Sequence, residues 1–421
     1  MTILIQQACV SDTQSPHHGK VKDILVENGR FREIADRITL TADKTIPAQG
    51  AFVSPGWVDL FSNFADPGFE YKETLETGAA AAAAGGYTDV FAIPDTKPVI
   101  DNKAQVEYIV QKSRTLPINI HPIGAITRNL EGKDLAEMYD MHNSGAVAFG
   151  DGLKPVQSAG TLLKALQYVK AFNGVIIQIP DDKSIGANGL INEGIVSTRL
   201  GLPGKPMMAE ELIIARDIKL ARYASSRIHF TGVTSPKSLE YIKRAKDSGL
   251  EVTCSVTPHH LFFHDEELAT YDSNLKVYPP LRTRPTMLAL RQALADGTID
   301  CVATHHLPHE FDSKVLEFEY AQYGMVGLET SYAVLKTIMP ELAEERITEL
   351  LCRNPRKIFG LSQPVIDTGG ACVLTLFHPS ASWTLGEKDL HSRSKNTPFT
   401  GKIFSGKPWG IVNGEKVFLN N

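Results

Sequence analysis

The segment GWVDLFSNFADPG (residues 56–68) introduces the pattern that decides the fold. A short apolar run, rich in β-prone residues, ends in polar residues and a Pro-Gly turn, and an Ala-rich helical stretch, GAAAAAAGG (78–86), follows it. Short apolar runs and longer helical patterns keep alternating from about residue 53 to residue 360. This alternation is typical of repeated βα units around a parallel sheet.

Eight segments in this region have the length and composition of buried strands. They are GWVDLF (56–61), TDVFAI (88–93), INIHPIG (118–124), GAVAFG (145–150), GVIIQI (174–179), RIHFTG (227–232), EVTCSVT (251–257) and IDCVATHH (299–306). Helical patterns are clearest at KAQVEYIVQKS, SLEYIKRAKDSG and TMLALRQALADG. Eight parallel strands close a TIM-type barrel, so we predict an α/β protein with a (β/α)8 barrel over residues 53–362.

The two ends of the chain have a different pattern. Residues 1–52 and 363–421 contain short alternating strands separated by turn glycines. Neither end is long enough to build a sheet with its own buried face. We therefore predict that both ends combine into one small β-sandwich beside the barrel.

Composition excludes several classes of protein. The formal charge of the 421 residues is −5 (43 basic against 48 acidic) and no basic block is present, which argues against nucleic acid as a partner. We find no run of about 20 apolar residues and no signal-type N-terminus in the sequence. We therefore predict neither a membrane protein nor a secreted one. The five cysteines are scattered without CxxC pairs, as in reduced proteins. We expect a cytoplasmic protein.

Many segments resemble dihydroorotases of the amidohydrolase superfamily, in the expected order and over nearly the whole chain. In the first loop Asp59, Pro67 and Gly68 match the family pattern Asp-x-His-x-His-x-Arg-x-Pro-Gly. Further similar segments are IPDTKPVID (93–101), GAVAFGDGLKPV (145–156), NLKVYPPLRT, DGTIDCVATHHLPHE, NPRKIFGL and SKNTPFTGK. The resemblance implies a barrel with a zinc centre at its C-terminal mouth, where bound hydroxide interconverts carbamoyl aspartate and dihydroorotate.

The positions that the family uses for zinc are changed in this chain. The two histidines after the first strand are replaced by Phe61 and Asn63, and the histidine after the fifth strand by Gln178. Gly232 stands at the histidine after the sixth strand, and His305 at the aspartate after the eighth. Asp151 is the one position at which this chain retains a possible zinc ligand of the family. One carboxylate does not hold a catalytic zinc, so we expect no cofactor.

Substrate recognition is changed as well. The family's arginine and asparagine, which clamp the substrate carboxylate, correspond to Ala65 and Asp95. The methyl group of Ala65 cannot form the two hydrogen bonds by which the arginine holds the substrate carboxylate. A carboxylate at Asp95 adds repulsion of about 4 kcal/mol against an acidic ligand about 4 Å away at an effective dielectric near 20. The pocket is therefore expected to disfavour an acidic substrate.

Several polar residues near the expected mouth remain open to two interpretations. Asp151 is a former ligand or a turn-stabilising residue, and Phe61 fills the old site or belongs to the core. Asp151, His305 and His306 could form a relocated metal site, or the histidines could line a hydrogen-bonded pocket. The residues predicted to line that pocket are Asp95, Asp151, His259, His260, Asn274, Arg282, His306 and His309. Asn274 and Arg282 could instead position loops.

Three functions are compatible with these patterns. The leading hypothesis is a dihydroorotase-like pseudoenzyme of pyrimidine biosynthesis, acting as a structural or regulatory subunit. Because degenerate family members assemble with aspartate carbamoyltransferase, that enzyme is the expected partner, and a homo-oligomer is also expected. The first alternative is an active zinc-dependent cyclic amidohydrolase with a relocated metal. The second alternative is a small-molecule binding protein that uses the empty mouth.

Overall fold

The computed structural model describes residues 1–420 as two eight-stranded sheets and one short two-stranded sheet, with surrounding helices. The strands are β1 (Thr2–Val10), β2 (Val21–Glu27), β3 (Arg30–Ala35), β4 (Lys44–Pro47), β5 (Phe52–Pro55), β6 (Trp57–Ser62), β7 (Tyr87–Ala92), β8 (Asn119–Gly124), β9 (Ala148–Phe149), β10 (Val175–Gln178), β11 (Ile191–Asn192), β12 (Gly204–Lys205), β13 (Arg227–Phe230), β14 (Val252–Val256), β15 (Cys301–Val302), β16 (Val373–Thr384), β17 (Ile403–Asn413) and β18 (Lys416–Leu419). The helices are α1 (Leu75–Ala84), α2 (Lys103–Ser113), α3 (Met138–Asn143), α4 (Ala159–Lys170), α5 (Ile195–Leu200), α6 (Met208–Ala224), α7 (Pro236–Asp247), α8 (Pro258–Phe262), α9 (Arg284–Ala295), α10 (Phe311–Lys314), α11 (Ser331–Ile338), α12 (Glu344–Thr348) and α13 (Asn354–Phe359).

The predicted barrel is confirmed. Its eight strands follow the order β6-β7-β8-β9-β10-β13-β14-β15, and neighbouring strands are parallel. All eight predicted segments contribute one strand each. β9 and β15 contain two residues each and are shorter than predicted. β15 stops early because the Thr304 N–H turns away from the ladder and donates to the Asp59 carboxylate at 2.6 Å.

Asp59 closes the seam between the first and the last barrel strand. Besides the Thr304 amide, its carboxylate accepts hydrogen bonds from the Ser62 hydroxyl (2.7 Å) and the Phe61 N–H (3.2 Å). A parallel bridge joins Ser62 to His306 across the same seam. The fully buried Asp59 is therefore a structural residue that fixes the directions of the two strand ends.

The three helices predicted from pattern, α2, α7 and α9, are also confirmed. Their N-caps are Asn102, Ser235 and Thr283, whose side chains accept hydrogen bonds from amides of the first turn. Pro236 and Pro285 stand in the first turn of α7 and α9, where proline replaces an amide that would lack a partner. Among residues 1–420, no helix combines the length and apolarity required to cross a bilayer.

Both chain ends form one mixed sheet, the predicted β-sandwich module. Its order is β18-β17-β16-β5-β1-β2-β3, with β4 paired to β1. Because β5 pairs with β16, the module extends to Pro55, three residues beyond the predicted boundary at residue 52. The last residue of the predicted C-terminal segment, Asn421, lies outside the described residues. Apolar side chains from both ends share one core, including Ile3, Ile5, Val10, Ile24, Val53, Leu374, Leu376 and Val412.

Candidate functional site

The carboxyl ends of the barrel strands open into a cavity of about 400 Å³, which we call the outer cavity. Barrel proteins carry their chemistry at this face because the loops after the strands converge there. Of the predicted site residues, Asn63, Asp95 and His309 line the outer cavity, together with Ala65. Its wall also contains residues that the sequence motifs did not indicate: Phe69, Lys72, Asp181, Lys183, Lys205 and Tyr278.

Phe61, Gly232 and His305 meet where their three strands end, and we call them the mouth centre. The rings of Phe61 and His305 pack with centroids 4.6 Å apart, and both side chains are buried. His305 Nε2 lies 2.8 Å from Thr231 Oγ1. A Cβ atom at Gly232 would lie 2.7 Å from His305 Cε1. The Phe61 and His305 rings therefore pack on each other, and the His305 ring lies where a side chain at position 232 would begin.

The mouth centre does not fit the zinc site that the family resemblance implies. Phe61 offers a hydrocarbon ring and Gly232 offers no side chain. Burial lowers the pKa of His305 to about 3, so His305 is a neutral imidazole. A catalytic zinc takes three protein ligands, and one imidazole does not supply them. In the part of the chain that the structure describes, no group of three or more His, Cys, Asp or Glu side chains is arranged to hold a metal.

Gln178, at the end of β10, connects two structural elements. Its Oε1 accepts a hydrogen bond from Val156 N at 3.1 Å, and its Nε2 donates to Asp217 on α6. Burial raises the pKa of Asp217 to about 6. Since both ends of the amide are engaged, Gln178 ties the loop after β9 to α6.

Asp151 is engaged with the backbone of a neighbouring loop. Its Oδ1 accepts hydrogen bonds from Ile126 N (2.8 Å) and Thr127 N (2.9 Å), and its Oδ2 accepts one from the Thr127 hydroxyl. Burial raises the pKa of Asp151 to about 6. This geometry supports the turn-stabilising interpretation of Asp151 over the interpretation as a former ligand.

Asp95 lies against the backbone of Gly152. Its two carboxyl oxygens are 3.2 and 3.3 Å from Leu153 N. Gly152 has a φ of +55°, and a Cβ atom there would lie 1.6 Å from Asp95 Oδ2. The two positions are therefore coupled, because a side chain at position 152 would displace the Asp95 carboxyl group from its observed position.

The charge of Asp95 differs from the expectation. Burial raises the pKa of Asp95 to about 7, so a large fraction of this carboxyl is protonated near neutral pH. The predicted repulsion against an acidic ligand assumed a full negative charge, and it is weaker in the folded protein for this reason.

His259 and His260 do not line the outer cavity. They are buried with ring centroids 4.6 Å apart, and burial lowers the pKa of His260 to about 3. His260 Nδ1 lies 2.7 Å from Thr257 Oγ1, and its Nε2 donates to Pro279 O at 2.9 Å. His260 therefore fixes the loop that carries Tyr278 into the cavity wall.

His306 and His309 have separate surroundings. His306 Nε2 lies 3.4 Å from Glu73 Oε2, and its Nδ1 accepts a hydrogen bond from Gly327 N at 3.2 Å. His309 Nε2 donates to Tyr323 O at 2.9 Å, and burial lowers the pKa of His309 to about 4. His309 is thus a neutral ring in the cavity wall, whereas His306 is a packed residue.

Arg282 and Asn274 lie outside the outer cavity. The Arg282 guanidinium is buried and donates to Thr234 Oγ1 (2.9 Å) and Asn192 Oδ1 (3.1 Å). Asn274 lines a separate cavity of about 440 Å³, which it shares with His309. These contacts agree with loop positioning as the role of Arg282.

A charged network that the sequence motifs did not indicate forms one wall of the outer cavity. Asp181 Oδ1 lies 2.8 Å from Lys205 Nζ, and its Oδ2 accepts a hydrogen bond from the Tyr278 hydroxyl at 2.6 Å. Lys183 donates to the same hydroxyl at 2.7 Å, and burial lowers the pKa of Lys183. With Lys72, the cavity contains three lysines. The only signal in the sequence was the position of PDDK directly after the fifth strand.

The fold and the mouth together define an amidohydrolase-type barrel. Solved structures agree: the chain superposes on the L-hydantoinase (dihydropyrimidinase) from Arthrobacter aurescens with a TM-score of 0.86 and 25% identity, covering 99% of this chain and 96% of that one.

Sequence comparison assigns the branch. A family model described as dihydro-orotase-like matches residues 50–238. The chain is 39% identical to a dihydroorotase from Pelotomaculum thermopropionicum, covering 100% of this chain and 99% of the relative. It is 40% identical to a dihydroorotase from Geobacter metallireducens, covering 99% and 100%. The chain belongs to the dihydroorotase family.

Proposed function

We propose that this chain is a dihydroorotase-family subunit of pyrimidine biosynthesis that does not itself interconvert carbamoyl aspartate and dihydroorotate. One observation supports the proposal most directly: the His305 ring, which packs on Phe61, lies where Gly232 would otherwise carry a ligand side chain. Hydrolysis of a cyclic amide needs an activated water and a polarised carbonyl. The mouth centre offers neither an imidazole cluster nor a carboxylate for that purpose.

The proposed role is structural or regulatory, with aspartate carbamoyltransferase as the partner. Support comes from the contrast between the altered mouth centre and the intact frame. Asp59 still closes the barrel, and the chain keeps 39% identity over its full length to a dihydroorotase. A subunit that binds another enzyme needs its outer shape but not its metal ligands.

The first test measures metal and turnover together. The purified chain is incubated with zinc or manganese, and dihydroorotate hydrolysis is followed beside the Geobacter metallireducens relative as a positive control. We expect no turnover by this chain under conditions in which the relative is active. Stoichiometric metal together with turnover contradicts the proposal and favours the relocated-metal alternative.

The second test addresses the partner. The chain and aspartate carbamoyltransferase from the same cell are purified separately and mixed, and the mass of the complex is measured by light scattering. We expect one complex that contains both proteins. Two separate peaks at every ratio contradict the partner assignment.

A second candidate function is small-molecule binding in the outer cavity. The volume of about 400 Å³ and the polar groups of Lys72, Lys183 and Asp95 favour it. Such cavities hold metabolite-sized ligands. A thermal-shift comparison of the wild type with Lys183→Met, using carbamoyl aspartate and dihydroorotate as probes, tests it. Loss of a ligand-induced shift in the variant supports binding in this cavity.

A further inference from the structure

Polar side chains line the inner face of the barrel along β13 and β14. His229 pairs with Thr253 in the parallel register of these two strands. Because side chains two residues apart point to the same face of a strand, Thr231 and Ser255 also face the barrel interior, one step nearer the mouth. His229, Thr231 and Ser255 are fully buried. The strand alternation therefore aligns four polar groups along the barrel axis.

Hydrogen bonds join these four groups to the mouth centre in one unbranched series, which we call the axial chain. His229 Nδ1 lies 2.8 Å from Thr253 Oγ1, and His229 Nε2 lies 3.1 Å from Ser255 Oγ. Ser255 Oγ donates to Thr231 Oγ1 at 2.9 Å, and Thr231 Oγ1 lies 2.8 Å from His305 Nε2. From the bottom of the barrel to its mouth, the axial chain consists of Thr253, His229, Ser255, Thr231 and His305.

The two ends of the axial chain differ. At the lower end, half-buried Thr253 lines a cavity of about 420 Å³ at the amino ends of β10, β13 and β14, which we call the lower cavity. Arg227, Lys246 and Asp300 line the same cavity. At the upper end, His305 Nδ1 is buried and forms no hydrogen bond within residues 1–420. The axial chain thus connects an open cavity with an unpaired ring nitrogen.

The proton positions along the axial chain depend on one another. Burial lowers the pKa of His229 and of His305 to about 3, so each ring is neutral and carries one N–H near pH 7. A hydroxyl also has one proton, so it donates to one neighbour and accepts from the other. Since Ser255 donates to Thr231, His229 must donate to Ser255 through Nε2, and Thr231 must donate to His305 Nε2. The His305 proton is then on Nδ1.

One other arrangement pairs both interior hydroxyls on both sides, and it reverses every hydrogen bond. In that arrangement His229 carries its proton on Nδ1 and His305 carries its proton on Nε2. Mixed arrangements leave a buried hydroxyl proton or lone pair without a partner, which is unfavourable. The tautomers of the two rings are therefore linked, although the rings do not share a hydrogen bond.

We propose that the axial chain is a proton path between the lower cavity and the mouth centre. A proton from solvent in the lower cavity adds to the Thr253 hydroxyl, each member passes its own proton to the next, and His305 releases its Nδ1 proton to solvent or a ligand at the mouth. One proton enters, one leaves, and every hydrogen bond is reversed. The far end of the barrel thereby sets whether His305 offers an N–H or a lone pair. The proposal requires neither metal, turnover nor the transcarbamoylase.

The positions of the ring protons test the linkage. Isotope-labelled histidine in the full chain reports the tautomer of each ring by NMR, with His229→Gln and His305→Gln used to assign the signals. We expect the proton of His229 on Nε2 and that of His305 on Nδ1, and the fully reversed pair supports the proposal equally. Two rings that both carry the proton on Nε2, or both on Nδ1, overturn it.

Exchange of the His305 ring proton with water tests the path itself. Thr253→Val keeps the size of the side chain but removes the hydroxyl at the other end of the axial chain from His305. We expect this variant to slow the exchange roughly tenfold or more, because exchange then requires local opening of the barrel. Thr253→Ser keeps a hydroxyl and should retain the rate of the wild type.

Thr348→Val is the matched control, because Thr348 is a buried threonine on α12 outside the axial chain. We expect no slower exchange in this variant. Loss of stability does not imitate the expected result, since a destabilised barrel opens more often and exchanges faster. Equal rates for the wild type and Thr253→Val mean that the His305 proton leaves through the mouth, and they overturn the proposal.

Discussion

The mouth centre and the outer cavity lie at the same end of the barrel, yet they are built in opposite ways. The mouth centre is filled by two packed rings, tilted by 33° to each other, beside a glycine. The outer cavity has about 400 Å³ of space and is lined by lysines, two aspartic acids and tyrosines. Under the proposed function, the loss of activity is therefore local: the place where metal chemistry belongs is closed, while the place where a ligand would lie remains polar and open.

The largest expected effect comes from emptying the mouth centre. Phe61→Ala removes a buried ring that packs on His305, and such truncations cost about 3–5 kcal/mol. Urea unfolding measures the loss. We expect a much smaller loss for Phe69→Ala in the wall of the outer cavity. Equal losses contradict the view that the centre is packed and the cavity is open.

A comparison of substitutions at Gly232 and Gly201 distinguishes steric conflict from backbone strain. Gly232→His meets the His305 ring and has a φ of +71°, so we expect a loss of about 3 kcal/mol. Gly201 has a similar φ of +67° but no neighbouring atom within 4 Å of the place where a Cβ would lie, so Gly201→His should cost only about 1 kcal/mol. Adding His305→Asp to Gly232→His should recover part of the loss. Equal losses of stability for Gly232→His and Gly201→His contradict the predicted steric conflict with the His305 ring.

The pH dependence of stability tests the raised pKa of Asp95. Burial raises the pKa of Asp95 from 3.8 to about 7, so the folded state holds this proton more strongly than the unfolded state does. The contribution of Asp95 to the free energy of unfolding is fully present below about pH 4 and is lost as the pH rises towards 7. Relative to Asp95→Asn, the wild type should lose about 2 kcal/mol between pH 4 and pH 6. Parallel curves for the two proteins contradict the raised pKa.

The smallest expected effect lies in the outer cavity. Tyr278→Phe removes a hydroxyl that joins Asp181 and Lys183, and a loss of about 1 kcal/mol is expected. Thermal unfolding measures it, with Tyr320→Phe, an exposed tyrosine, as the control. A loss as large as that of Phe61→Ala would place the outer cavity in the packed core.

Much of the fold follows from local pattern. The eight barrel strands are predicted because each is a short buried run, and α7 and α9 because their caps and prolines mark their first turns. The boundary of the terminal module is less predictable. β5 joins that module between β1 and β16, a strand more than 300 residues later, and no local signal predicts the pairing with β16.

The site is only partly predictable for a related reason. Motif comparison selects Phe61, Gly232 and His305 one by one, but their contact exists only in three dimensions. Lys72, the loop that carries Asp181 and Lys183, Lys205 and Tyr278 come from separate parts of the chain, and no motif marks them as site residues. The coupling of Asp95 with Gly152 also depends on a distance that sequence spacing does not contain.

The most direct test of the filled mouth centre is zinc stoichiometry, measured on the wild type and on one restored variant. The variant carries Phe61→His, Asn63→His, Gln178→His, Gly232→His and His305→Asp. We predict that the variant binds zinc while the wild type does not, and that turnover stays low until Ala65→Arg and Asp95→Asn are added, because bound hydroxide needs a positioned substrate. Tight stoichiometric zinc in the wild type would contradict the account.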